Sequence, residues 1–415
     1  MAKALSLFEA RAVVLAAVAT RQLPEQVPLR SAHGRVLAER VVAPGPWPAT
    51  DRAAMDGFAM AVGADGLAVG MRLPVVGQSL AGRPFAESLA VGTAIRIMTG
   101  AVVPVGANAV VPVEQTSGFA GATVQLLAPV RAGQHVRLLG SELAAGTELM
   151  SPGRWLRAAE IGVLAVLGQH VVTVAQRPRV AIVATGDEVV AIEASPLPHQ
   201  VRESNSWALA AQVEECGGIA LRLGVAPDEP VALRALLQRG LEQCDVLVTI
   251  GGISKGTHDL VHGTLAELGV ATHFHGIDLK PGKPTYFGMA APPAGPRYVF
   301  GLPGNPASSF TVFDLLVRPL LLAMQGAAPT EWATRVPVGG AAWHANARLQ
   351  AVPARLVPSA VGLVAELVSP SPSGDPFSLL NGSVYALVEE HRAPPGPQER
   401  AVLTLVARSS GVQLP

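Results

Sequence analysis

The chain holds very little cysteine, few aromatic residues and no excess of charge of either sign. Cys216 and Cys244 are its only cysteines in 415 residues, and they form no CxxC and no Cys/His cluster. A disulfide framework and a thiolate zinc site are therefore not expected, and a reduced, cytoplasmic setting fits. Each thiol reads as a small core residue rather than a nucleophile. Aromatics make up 4% against 49% hydrophobic residues, so Leu, Val and Ala must fill the cores. Lys plus Arg and Asp plus Glu both number 31. That balance argues against a nucleic-acid partner, which calls for a basic excess. A small anionic ligand needs only a local basic patch. Long apolar runs are scarce as well. Ala12–Ala19 spans eight residues, Glu9 and Arg11 interrupt its approach, and Arg21 follows. A membrane span needs roughly 18. An amphipathic helix over 5–21 is the expectation there, and no membrane partner is expected.

Two nucleotide fingerprints are also missing. No GxxxxGK[ST] occurs, because prolines flank the turn in Pro281-Gly282-Lys283-Pro284, and no GxGxxG follows a strand. A P-loop NTPase and a Rossmann dehydrogenase are thereby disfavoured.

The patterns that are present divide the chain. Pro44, Pro46 and Pro48 break regular structure. Beyond them, Val-rich runs between glycines (GMRLPVVG, GTAIRIMTG, ATVQLL) predict strands. Trp155–Leu167 has helical spacing and is expected to pack back on the first helix. Residues 1–44 and 137–176 would then form a discontinuous helical domain, with 45–136 an inserted β-rich domain. From 177 to 327 strands alternate with helices. Strands are expected at Val180–Ala184, Ile219–Val225, Val246–Ile250 and Tyr298–Phe300. Helices are expected at Ser206–Cys216, Val231–Glu242, Leu260–Leu268 and Ala307–Met324. Val180–Ala184 is a continuous apolar run, the mark of a strand buried on both faces, and the alternation implies a parallel α/β sheet. Pro329 and Pro337 mark a further linker. Residues 328–415, with alternating stretches at Ser383–Glu389 and Arg400–Val406, read as a small β-barrel or sandwich.

Three loops stand at strand ends of the α/β segment: TGDE (Thr185, Gly186, Asp187, Glu188), GGISKG (Gly251, Gly252, Ser254, Lys255) and GLPGNP (Gly304, Asn305, Pro306). Open α/β sheets bind ligands outside the carboxyl ends of their strands. Glycines let backbone N–H groups approach an anion, and a following helix N-terminus adds a favourable dipole. One such loop is an ordinary tight turn more often than not; three at one sheet edge favour a site for an anionic, phosphorylated ligand. Glu188, Asp228 and Asp259 stand beside these loops, as a set that could hold a divalent cation such as Mg2+. Helix capping is the bland alternative for Asp228 and Asp259; Glu188 has no capping duty. Lys280 and Lys283 in LKPGKPTYFG are candidates for phosphate or pterin contacts. His258, His262, His273 and His275 fit no metal spacing and read as surface or packing residues.

TGDE, ESN, GGISKGxxD, KPGKP and GLPGNP, in this order, resemble the molybdopterin-binding domain of the MoeA family, which also covers the C-terminal half of gephyrin. Upstream, AAMDGFAM at Ala53–Met60, RIMTGAVVPVGANAVVPVE at Arg96–Glu114, and Arg137 with LLGSELAAG resemble further family signatures. The resemblance covers about residues 5–325 well. It implies four domains: a discontinuous helical domain, an inserted β domain, a Mog-like α/β domain and a C-terminal β-barrel. It also implies an elongated homodimer whose site lies between the α/β domain of one subunit and N-terminal segments of the other. The implied activity is insertion of molybdate into the dithiolene of adenylylated molybdopterin, with release of AMP and a requirement for Mg2+. Handover partners in molybdenum cofactor biosynthesis are implied too.

The family's functional positions map onto Asp56, Thr99, Glu142, Glu188, Asp228 and Asp259. The carboxylates would hold Mg2+ and orient molybdate or the phosphoanhydride, Thr99 would donate to an oxyanion, and Arg137, Lys280 and Lys283 would offset charge repulsion. Three departures concern anion binding. Glu142 stands where the family has Asp, Lys255 with Thr257-His258 replaces an apolar and more acidic version, and Gly276 replaces a basic residue. Two other readings share the fold: a Mog-type adenylyltransferase, which lacks the AMDGFAM and MTG segments, and a non-enzymatic dimeric scaffold.

Overall fold

The structure is a computed structural model. It describes residues 4–18, 23–253, 260–293, 295–328, 332–340, 343–360, 362–368, 375–392, 394 and 401–408. Two compact units emerge, Arg40–Ser151 and Met1–Glu39 with Pro152–Pro415.

In the unit Arg40–Ser151 a five-stranded sheet runs in the order Ala109–Pro112, Gly57–Met60, Ala94–Ile97, Arg72–Ser79, Thr123–Gln125. The three Val-rich runs read from the sequence all contribute. One of its interior strands, Gly57–Met60, is buried throughout. Gly57 has no room for a side chain, since a Cβ there would lie 1.8 Å from the carbonyl oxygen of Val111. Two short pairings extend the unit beyond 45–136: Arg52–Ala53 with Val136–Arg137, and Val41–Val42 with Glu148–Met150. They recruit residues 40–44 and 137–151 to the β unit, away from the helical segments.

In the other unit, helix Leu7–Ala16 opens on a capping box. The Ser6 hydroxyl accepts from Glu9 N, and the Glu9 carboxylate accepts from Ser6 N at 2.8 Å. It is shorter than the 5–21 expected. Its buried face, Leu7, Ala10 and Val14, joins the core of the α/β sheet beside Leu315, Leu316 and Leu320. Helix Ala158–Val166 packs against the turn Leu29–Ser31; the first helix instead follows the larger apolar surface of the α/β core. Strand Pro24–Pro28 pairs with Val171–Ala175.

The α/β sheet has six strands in the order Ile219–Ala226, Arg179–Thr185, Val246–Ile250, Arg297–Leu302, Tyr286–Ala290, Ala271–His275. The first four are the parallel strands read from the sequence. Tyr286–Ala290 runs antiparallel to both its neighbours, so the sheet is mixed. Sequence pattern missed these last two strands because His273, His275 and LKPGKPTYFG read as polar turn material. The helix after the GLPGNP loop is continuous from Pro306 to Met324 with a π-turn at Phe313–Val317. Pro319 offers no N–H to the carbonyl four residues back, which accounts for the widened turn. This helix has the length and hydropathy to cross a membrane, but 72% of its apolar window is buried within the protein.

Residues 335–407 form a closed five-stranded barrel. Leu349–Ser359 pairs with Gly362–Leu367, that with Arg335–Gly340, that with Ala401–Ala407, that with Val384–Val388, and the last returns to Leu349–Ser359. Leu279–Lys280 adds a short parallel strand at its edge. A buried polar cluster joins barrel to α/β domain. Asp314 on the π-turn accepts from Gln212 Nε2 at 2.9 Å and from the Tyr385 hydroxyl at 3.1 Å. Burial pushes the Asp314 carboxyl up to about 6, against the pull of Arg318 and Arg408.

Candidate active site

The three glycine loops meet at the carboxyl ends of the parallel strands. Gly251 N donates to Leu302 O at 2.9 Å, and the Thr185 hydroxyl donates to Ile250 O at 3.1 Å. Asn205 Nδ2 donates to Gly304 O at 2.7 Å. These bonds tie the ends of strands Arg179–Thr185, Val246–Ile250 and Arg297–Leu302 to the start of the following helix. Glycine is required at two positions. Gly251 and Gly252 have φ of 84° and 62°, and a Cβ on either would meet the Thr185 hydroxyl oxygen at 2.9 and 3.1 Å. Gly186 leaves space in which the Glu188 carboxylate folds back over its own loop, 2.6 Å from where a Cβ would stand.

The loops enclose an open cleft of about 750 Å3, large enough for a drug-sized ligand. Thr185, Gly186, Glu188, Asp228, Gly251, Gly252, Gly304, Asn305 and Pro306 all line it. Asp187 stands behind this wall and orders it, since its Oδ1 accepts from Asp228 N at 3.0 Å. Asn305 is the N-cap and Pro306 opens the helix, as the sequence suggested. Asp228 is not a cap. Glu229 takes that duty for helix Pro230–Gln243, accepting from Val231 N at 3.0 Å and Ala232 N at 2.8 Å. Those two amides hold the Glu229 carboxyl below its ordinary range, and Asp228 lines the cleft. Ser254, Lys255 and Asp259 lie outside the described residues.

Of the KPGKP segment only Pro284 lines the cleft. Lys280 is exposed on the strand added to the barrel, and Lys283 is exposed in the turn, its carbonyl accepting from Ile277 N at 3.0 Å. Glu203, Ser204 and Asn205 line the cleft although only their resemblance to a motif had singled them out. Buried Glu203 accepts from Ser206 N at 2.7 Å and pairs with Arg222 at 3.5 Å, fixing the start of helix Asn205–Glu215. The signal for it was an acid three residues before a buried Ser at a helix start.

In the unit Arg40–Ser151 the remaining residues form two side-chain pairs. Strand register sets the first. Gly57 opposes Ile97, which leaves Asp56 just past the end of the pairing, within reach of Thr99. Asp56 Oδ1 accepts from Thr99 N at 2.6 Å and from its hydroxyl at 2.7 Å. The hydroxyl first, then the amide, lower the Asp56 pKa. The second pair is Arg137 with Glu142, whose Oε1 accepts from Arg137 Nε at 2.9 Å. Arg137 is paired through its backbone with Arg52, whose guanidinium donates to Gly100 O at 2.8 Å, next to Thr99.

Among the described residues no group of three or more His, Cys, Asp or Glu is placed to hold a metal ion. Glu188 and Asp228 on the cleft wall are nonetheless hard oxygen donors of the kind Mg2+ takes together with phosphate oxygens and water.

Two family models match the chain: the MoeA N-terminal region (domain I and II) over residues 5–168, and a probable molybdopterin-binding domain over residues 181–323. A molybdopterin molybdenumtransferase of Nostoc sp. is 36% identical over 312 residues, 74% of this chain and 71% of the relative. The chain belongs to the MoeA family. A molybdopterin molybdenumtransferase of Haemophilus influenzae is 31% identical, covering 78% of each chain. A solved MoeA protein from Pyrococcus horikoshii superposes with a TM-score of 0.81 at 28% identity, over 97% of this chain and 100% of that one. The fold of this family thus extends through the C-terminal barrel, beyond both family models.

Proposed function

We propose that the protein is a molybdopterin molybdenumtransferase, which inserts molybdate into the dithiolene of adenylylated molybdopterin and releases AMP. The observation that carries this reading is the cleft itself. Glycine loops from three strand ends expose backbone toward one space, and Glu188 and Asp228 stand on its wall. The relatives bearing that activity in their names support it.

The chain's own residues divide the work. The amides of Gly186 and Gly252 and the N-terminus of the helix beginning at Pro306 take the phosphate oxygens of the ligand. Glu188, Asp228 and Asp259 would hold Mg2+, which when bound would supply positive charge to offset that of the carboxylates and the phosphoanhydride. Glu188 stands over the loop where the phosphoanhydride reacts and orients the water that displaces AMP. In a homodimer the partner subunit would supply the second wall. Its Asp56–Thr99 pair offers a hydroxyl and an anionic acceptor to an oxyanion, and its Arg137, paired with Glu142, offsets the charge of molybdate. Lys280 and Lys283 add cationic character to the approach from the barrel side. The adenylyltransferase reading is disfavoured by the N-terminal match, which covers the AMDGFAM and MTG segments.

Incubation of the purified protein with adenylylated molybdopterin, molybdate and Mg2+ tests the proposal. AMP release together with active molybdenum cofactor is expected. Binding of the pterin without turnover would support the scaffold instead. Accumulation of adenylylated pterin from molybdopterin and ATP, without molybdate, would support the adenylyltransferase.

A further inference from the structure

The four histidines between residues 258 and 275 carry no metal spacing, yet His275 touches the wall of the cleft. Its Nε2 lies 2.9 Å from the carbonyl oxygen of Ile253. A carbonyl only accepts, so His275 donates through Nε2–H. Ile253 is 3% exposed, lines the cleft, and directly follows the two left-handed glycines Gly251 and Gly252. Thr185 packs against one side of this three-residue stretch and His275 holds its far end. The Ile253 side chain is fixed as well, because Gly301 leaves the space it occupies: a Cβ on Gly301 would fall 2.7 Å from Ile253 Cγ2.

A β-bulge aims the histidine. The pairing of Ala271–His275 with Tyr286–Ala290 shifts register between Thr272 and Phe274, so His273 is the extra residue. Without it, Thr272 and His275 would point to opposite faces of the strand. With it, both reach His262 and Tyr286. The Thr272 hydroxyl is 3.5 Å from His262 Nε2 and 3.2 Å from the Tyr286 hydroxyl. The His275 ring lies 5.1 Å from that of His262 and 5.8 Å from that of Tyr286. The bulged residue His273 is exposed, its ring tilted against that of Phe287. The ring of His275 is thus packed on two sides and directed at one backbone carbonyl of the cleft.

We infer that His275 is a positioning residue of the cleft, holding the Gly251–Ile253 turn in its ligand-accepting form through the Ile253 carbonyl. Its kinetic consequence rests on the transferase reading; its structural consequence does not. The turn meets the ligand before and during reaction, so loosening it weakens both states alike and appears in KM. Two variants separate donor from bulk. His275→Phe keeps a ring and removes the N–H, while His275→Gln keeps a terminal N–H donor. In His275→Phe, KM for adenylylated molybdopterin should rise about tenfold with kcat little changed, the loss of roughly one buried hydrogen bond. His275→Gln should recover most of that increase, and His273→Gln should match the wild type. A fall in kcat at constant KM, unrescued by Gln, would mark a merely structural residue and overturn the inference. Amide hydrogen exchange at Gly251, whose N–H is bonded to Leu302 O, reads the same contact with no ligand present. Faster exchange in the Phe variant and not in the Gln variant is expected; unchanged exchange in both overturns the inference. A wild-type protein that releases no AMP overturns the transferase reading alone, because the exchange result still stands or falls separately.

Discussion

The walls of the α/β cleft and the acidic motif of the Arg40–Ser151 unit solve the same problem with different materials. In the cleft, backbone does most of the shaping. Positive-φ glycines, a Thr hydroxyl and an Asn amide lock three strand ends together, and carboxylates are added on top. In the β unit, backbone pairing only brings side chains near one another, and the groups proposed to bear function are two exposed pairs, Asp56–Thr99 and Arg137–Glu142. A backbone site fails when the wrong Cβ is added, whereas a side-chain site is tunable by charge and pH. Gly57 is the exception that joins the two styles, a glycine on which a side-chain motif depends.

Breaking each wall in turn sharpens this contrast. The largest loss is expected from Glu188→Ala, which should abolish cofactor formation while leaving the thermal midpoint unchanged, as measured by AMP release and scanning calorimetry. Gly57→Ala comes next. Forcing a Cβ into the Val111 carbonyl should cost about 3 kcal/mol or more by the usual penalty of overpacking, read as loss of the β unit's cooperative unfolding in urea. Thr99→Val should then lower turnover and move one carboxyl. The hydroxyl that contributes most to the depressed Asp56 pKa is gone, so the Asp56 titration shifts up toward the ordinary carboxylate range, observable by carboxyl-carbon NMR. The hold on Thr99 is present in the wild type above the ordinary Asp value and is lost as pH falls through the depressed one.

Asp314 supplies a contrast of opposite sign within the other unit. Its folded pKa, about 6, is raised above the unfolded value near 3.8. The folded state therefore binds the proton more tightly. Its stabilisation is full below the unfolded value and is lost as pH rises through about 6, a change on the order of 3 kcal/mol. Urea unfolding at pH 4.5 and 7.5 should show about 2 kcal/mol of this loss in the wild type and a much smaller one in Asp314→Asn. The smallest effect is expected from Arg137→Ala. The pair with Glu142 is half exposed and adds little to stability, so the midpoint should move little, while the rise of KM for molybdate should be steeper at low salt than at high salt.

Much of this was legible in the sequence, for physical reasons that differ by element. Val180–Ala184 and Val246–Ile250 announce themselves because strands buried on both faces need continuous apolar runs. Gly251 and Gly252 were legible because few other residues accept their φ. Tyr286–Ala290 and Ala271–His275 were hidden because a bulge breaks the two-residue alternation and histidines fill a face that packs on aromatics. Lys280 and Lys283 were read as candidate ligand contacts from the LKPGKPTYFG segment; the strand pairing that sets Lys280 at the barrel edge was invisible in sequence. Asp228 and Glu229 are adjacent acids, and only the structure shows that Glu229 caps the helix and that Asp228 lines the cleft.

The most direct test of the transferase reading is AMP release by the purified protein supplied with adenylylated molybdopterin and Mg2+, with and without molybdate, in wild type and Glu188→Ala. Molybdate-dependent AMP release with active cofactor, absent from the variant, is the expected result. Equal release by the Glu188→Ala protein, or tight pterin binding by the wild type with no release at all, would contradict it.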